Sequence, residues 1–110
     1  WVDDIRIEAD ATSAPSSSGR LHLAQNSPNP FNPRTTIAFG LPQAGPVTLQ
    51  VFDVRGRLVR TLIDEIRAAG EHAVMWDGKD DNGASAASGV YLYRLSAGGE
   101  LRQNKMTLVK

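Results

Sequence analysis

A chain of 110 residues with 12 basic and 12 acidic side chains, zero formal charge and no cysteine has room for one domain and a tail. The charge balance removes the electrostatic footprint of a general nucleic-acid or anionic-membrane binder, and the missing thiols exclude disulfides, thiolate nucleophiles and thiolate metal sites. An apolar share of 41% is that of a globular chain, and the apolar runs fall far short of the roughly 20 residues that a membrane helix needs.

Trp1-Val2-Asp3-Asp4-Ile5-Arg6-Ile7 places Trp1, Ile5 and Ile7 on one face of an extended chain. This predicts a strand, and a strand needs a neighbour, either in the sheet that follows or in a preceding domain. No signal peptide opens the chain and Trp1 is no initiator, so the expectation is the carboxyl-terminal piece of a longer protein. Residues 11–20, with Ser16-Ser17-Ser18-Gly19, read as a flexible linker. The domain itself is expected over residues 21–110.

Three prolines within Pro28-Asn29-Pro30-Phe31-Asn32-Pro33 cannot sustain a hydrogen-bonded ladder, which predicts a rigid corner that Phe31 pins to a core. Ile37, Phe39 and Leu41 alternate along one strand, and Val47, Leu49 and Val51 along the next. Asp53-Val54-Arg55-Gly56 predicts a tight turn, and Arg57–Leu62 the partner strand. Residues 59–69 also fit a helical period through Leu62, Ile63 and Ile66; the strand is the preferred reading. His72, Val74 and Trp76 share the inner face of a further strand. Val90-Tyr91-Leu92-Tyr93-Arg94-Leu95 is aromatic and β-branched, the strongest strand of all, and a Gly98-Gly99 turn returns it into 101–109. About seven strands at regular spacing predict an all-β sandwich.

Chemistry finds little purchase. Asp77, Asp80, Asp81 and Asn82 form a hard-oxygen set suited to calcium, but Gly83 falls seventh from Asp77 where an EF-hand loop needs sixth, so capping of turn amides is the simpler reading. His22 and His72 have no partners at triad spacing. Trp76, Tyr91 and Tyr93 would form a sugar platform if exposed and core if buried. Arg55, Arg57 and Arg60 read as a solvated face. No cofactor is implied, and no enzyme activity is expected.

The ordered set Ser27-Pro28-Asn29-Pro30-Phe31-Asn32-Pro33, Val51-Phe52-Asp53-Val54-Arg55-Gly56-Arg57, Ala69-Gly70-Glu71-His72, Trp76-Asp77-Gly78, Gly89-Val90-Tyr91 and Lys105-Met106-Thr107-Leu108-Val109-Lys110 resembles the carboxyl-terminal sorting domain of type IX secretion cargo. It is similar also to the immunoglobulin-like domain of flagellar hook-capping proteins. Ala86 departs from it where a β-branched residue is common, and Glu65-Ile66 where glycine is usual. The resemblance implies an immunoglobulin-like fold and a non-catalytic address, read by the outer-membrane translocon, for an upstream cargo bound for the cell surface or beyond after passing the periplasm. The positions that match its signal are Pro28, Asn29, Pro30, Phe31, Gly89, Tyr91, Lys105, Met106, Leu108 and Lys110. Residues 1–10 resemble the closing strand of a jelly-roll cargo module. The expected mechanism is recognition of the 90–110 hairpin through the unpaired edge of its last strand, with any cleavage falling between Ala11 and Arg20. The rivals are a structural or adhesive module that self-associates through residues 1–7, and an accessory carbohydrate-binding module.

Overall fold

A computed structural model describes residues 21–110; the strand expected at 1–7 and the linker at 11–20 lie outside the described residues. Among the described residues, seven strands form two antiparallel sheets: β1 (His22–Leu23), β2 (Thr35–Leu41), β3 (Gly45–Asp53), β4 (Leu58–Arg67), β5 (Gly70–Trp76), β6 (Gly89–Ala97) and β7 (Glu100–Leu108). One sheet runs β1-β2-β5 and the other β4-β3-β6-β7. The predicted all-β sandwich is therefore the fold, and the described residues contain no helix.

Period-two alternation builds the core. Ile37, Phe39 and Leu41 of β2 face Val47, Leu49 and Val51 of β3, joined by Tyr91, Tyr93 and Leu95 of β6 and by Met106 and Leu108 of β7. Each large apolar side chain taken out of water stabilises the fold by about 1.5–3 kcal/mol. The segment open to a helical reading is strand, and it extends to Arg67. Glu65 pairs with Val47 and Ile66 with Pro46, so the departure from glycine there does not end β4. The β3–β4 turn closes through the Gly56 amide on the Asp53 carbonyl, with Gly56 at φ 85°. The Asp53 side chain accepts hydrogen bonds from the Arg57 and Arg55 amides. The Arg57 amide is the main reason that its carboxyl lies below the ordinary range.

The acidic loop settles as the capping reading predicts. Asp77 accepts from the Lys79 amide, Asp80 from those of Asn82 and Ala84, and Asp81 from that of Thr61. Each carboxylate serves a turn or strand amide, and among the described residues no cluster of three or more His, Asp or Glu groups is arranged to hold a metal ion.

Arg60 corrects the reading of the three arginines as one solvated face. Its guanidinium donates to the carbonyls of Lys79 and Asp80 at 3.2 and 3.4 Å, and lies 3.7 Å from both Asp77 and Asp81. With the Asp81 amide bonded to the Val59 carbonyl, the loop is fastened along the outer edge of β4. Arg60→Ala is expected to lower stability by about 1 kcal/mol, because half-exposed ion pairs contribute little beyond their hydrogen bonds. Denaturant titration checks the figure, and a change indistinguishable from zero would make the fastening incidental.

A candidate recognition corner

The residues that sequence reading had scattered over eighty positions meet at one end of the sandwich. Phe31 forms a parallel bridge with Leu108: its amide donates to the Thr107 carbonyl at 3.0 Å, and the Val109 amide donates back to the Phe31 carbonyl at 2.9 Å. The Asn29 side chain accepts from the Thr107 amide at 3.0 Å. Gly89 and Tyr91 pair across the ladder with Leu108 and Met106. The Lys110 amide donates to Ser88 Oγ at 3.1 Å. Beneath the corner, Trp76 lies 5.6 Å from both the Phe31 and Tyr91 rings, tilted to one and edge-on to the other, which is favourable aromatic geometry.

Two glycines show why the sequence folds this way locally. A side chain at Gly78 would stand 3.0 Å from the Pro33 carbonyl, and its φ of 78° is one that L residues rarely adopt. Gly89 enters β6 at φ 152°, where any Cβ is strained. The Trp-Asp-Gly and Gly-Val-Tyr elements are thus backbone requirements of the corner.

The matching positions divide by exposure. Phe31, Tyr91, Met106 and Leu108 are buried and act as frame, while Gly89 is partly covered. Pro28, Asn29, Pro30, Lys105 and Lys110 are exposed and are what another molecule would touch. Beside them an open groove of about 270 Å³ is lined by Gln25, Asn29, Val90, Lys105, Met106 and Thr107.

The expected unpaired edge on the last strand is overturned for its distal half. Outward groups at Lys105, Thr107 and Val109 are taken by the Gln25 side chain and the Asn29–Phe31 corner. The prolines run alongside the terminal strand, so they occupy the very edge that was expected to be open. The sugar platform fails as well: Trp76, Tyr91 and Tyr93 are 0%, 7% and 0% exposed.

Sequence reasoning missed the polar group that holds the corner. Asn26 is buried, and its amide donates to Tyr93 Oη at 2.8 Å. Its side chain donates to Thr35 Oγ1 at 2.9 Å and to the Pro28 carbonyl at 3.1 Å, and Thr35 donates to that same carbonyl. Tyr93 Oη donates in turn to the Ala24 carbonyl at 2.8 Å. The available signal was the prolines themselves, since a segment that cannot pair with itself needs side-chain partners, and Asn26 stands directly before it.

Burial pushes both the Tyr91 and Tyr93 hydroxyls up. The Asp53 carboxylate adds to this at Tyr91, while bonds from Asn104 and the Asn26 amide oppose it at Tyr93. A raised folded pKa means stability held below the ordinary tyrosine pKa of about 10 and lost as pH rises through the folded value. Tyrosinate absorbance is expected to stay suppressed past pH 10 and to appear together with unfolding. Ionisation at the free-tyrosine midpoint with the fold intact would contradict this.

The model of the FlgD Ig-like domain matches residues 25–100. The basal-body rod modification protein FlgD of Salmonella typhimurium is 40% identical over 67 residues, covering 57% of this chain. The chain spans 28% of that relative's length. The crystal structure of FlgD from P. aeruginosa is 29% identical at TM-score 0.52, covering 67% of this chain and 61% of that one. Two components from Porphyromonas gingivalis share the fold. Latent PorU matches at TM-score 0.65 and 21% identity, over 94% of this chain and 10% of its own. PorZ, a surface component of the type-IX secretion system, matches at TM-score 0.56 and 22% identity, over 82% and 11%. With the matched span covering well over half of its residues, the chain belongs to the FlgD Ig-like domain family.

Proposed function

We propose that this domain is a non-catalytic sorting module that directs an upstream cargo through the outer-membrane translocon of a type IX system, from the periplasm to the cell surface or beyond. The observation that carries the reading is the convergence of the proline corner, the Gly89–Tyr91 element and the Lys105–Lys110 strand into one rigid surface. Its likeness in fold to PorZ and PorU supports the setting. The buried members fix the backbone, and the exposed Pro28, Asn29, Pro30, Lys105 and Lys110 present rigid apolar and cationic contacts beside the groove. Rigid presentation lowers the ordering cost of recognition.

The test fuses residues 1–110 to a reporter in a type IX-competent bacterium. The wild-type fusion is expected outside the cell, and Lys105→Glu with Lys110→Glu is expected to cut export about tenfold at unchanged Tm, as removal of charged contacts at a recognition surface does. Retention of the wild-type fusion would end the sorting reading, whereas full export of the double variant would end only the assignment of the lysines.

The FlgD identity favours a second reading, in which the domain stays attached as a structural bead of an extracellular assembly. A fusion that is retained and sediments with an assembly of identical copies would select it.

A further inference from the structure

Charge is unevenly laid along this electrically neutral chain. No aspartate or glutamate occurs in residues 21–52, 82–99 or 101–110. Among the described residues every carboxylate side chain therefore lies in 53–81 or at Glu100, and most are engaged by near neighbours. Asp53 is held by Arg57, Glu65 by Arg67, Glu71 by His22, Asp77 and Asp81 by Arg60, and Glu100 by Arg102. Arg34, Arg94, Lys105 and Lys110 are exposed, and among the described residues none of them lies within ion-pair distance of a carboxylate side chain. Arg94 donates to the Gln103 side chain and lies 4.8 Å over the Phe52 ring.

These cations collect around the recognition corner and the sheet face beside it. Arg34 directly follows the last proline of the corner. The register sets Leu92 opposite Lys105 and Arg94 opposite Gln103, so Arg94 and Lys105 are diagonal neighbours on one face of the β6–β7 pair. It is the outer face, because the alternate residues Tyr91, Tyr93 and Met106 are buried. The groove of about 270 Å³ lies beside Lys105 on this face, where Val90, 41% exposed, stands opposite Thr107.

We propose that this face binds an extended acidic segment of a partner protein, with carboxylates at positions i and i+4 on Lys105 and Lys110 and an apolar side chain at i+2 in the groove. The proposal builds on the sorting reading by giving the chemistry of the partner that reads the corner. Lys105 and Lys110 are five residues apart, about 17 Å along an extended chain. In an extended ligand, residues i, i+2 and i+4 share a face and span about 13 Å, a difference that two flexible lysine stems take up. An acidic segment meets no like charge on β6, in the corner or from Leu101 to Lys110, so its approach is steered and a basic competitor is repelled. The recess selects a protein side chain over a lipid surface. An interfacial membrane site needs apolar groups that project, and here Val90 lines a hollow.

Two blocked five-residue peptides make the test, one with glutamate at both ends, valine in the middle and threonine between, the other with glutamine in place of glutamate. Titrated into the isotope-labelled chain, the glutamate peptide is expected to shift the amides of Val90, Lys105 and Thr107 saturably. Binding is expected to be about tenfold weaker for the glutamine peptide, and for Lys105→Gln with Lys110→Gln at unchanged Tm, since two exposed ion pairs are lost in each case. Equal binding of the two peptides, no shift with either, or shifts away from the groove would overturn the proposal. So would phosphatidylglycerol vesicles that sediment the chain while the glutamate peptide leaves it unshifted, which gives the face to a membrane, or shifts that follow protein concentration alone, which give it to a second copy. The readout is separate from export. An exported fusion whose domain ignores the glutamate peptide would remove the acidic partner and leave the sorting role, and a domain that binds the peptide but is retained in the cell would do the reverse.

Discussion

Removal of Leu101–Lys110 is expected to abolish the cooperative unfolding transition. The segment supplies nearly all of the nine pairs that β7 makes with β6. It also supplies the buried Met106 and Leu108, together with every backbone partner of the Asn29–Phe31 corner. Two large side chains at about 1.5–3 kcal/mol each, plus an orphaned ladder, approach the whole stability of a domain of this size, typically about 5–15 kcal/mol. Circular dichroism of residues 1–100 on heating checks this; a sharp melt within a few degrees of the intact chain would show β7 to be dispensable. The consequence for function is direct. Loss of export on truncating the last strand reports unfolding, so recognition has to be mapped with the exposed lysines at constant Tm.

Phe31→Ala is expected to cost about 3–5 kcal/mol, as removal of a buried phenylalanine from a close-packed site does. The ring is 1% exposed and lies 5.6 Å from Trp76, so its loss leaves a cavity beneath the corner. For a domain of this size the midpoint should fall by about 4–8 °C per kcal/mol. Phe31→Leu should recover much of the loss by refilling volume. Trp76 emission, read against denaturant, follows both variants. A Phe31→Ala midpoint within about 1 kcal/mol of wild type would mean that the corner is held by its polar network alone.

The strands were legible because burial on one face of a sheet writes a period of two into the chain. Ile37-Phe39-Leu41 and Val47-Leu49-Val51 bury the predicted face, and Tyr91-Tyr93-Leu95, whose face the sequence left open, is buried with them. The two-residue β1 was missed, since His22–Leu23 is too short to carry a period. Arg60 was misread because a guanidinium bound to two distant carbonyls has the same local context as a solvated one.

The sequence by itself determined the class of fold, the inward faces of β2, β3 and β5 and the turn at Gly56, because each of these is a property of neighbours along the chain. Only the tertiary structure decided that Pro28–Phe31 lies against Thr107–Val109, that Asn26 anchors it, and that the distal edge of β7 is taken by that corner. Those outcomes depend on which backbone groups are left over once distant strands have paired, and no local pattern of side chains records that remainder.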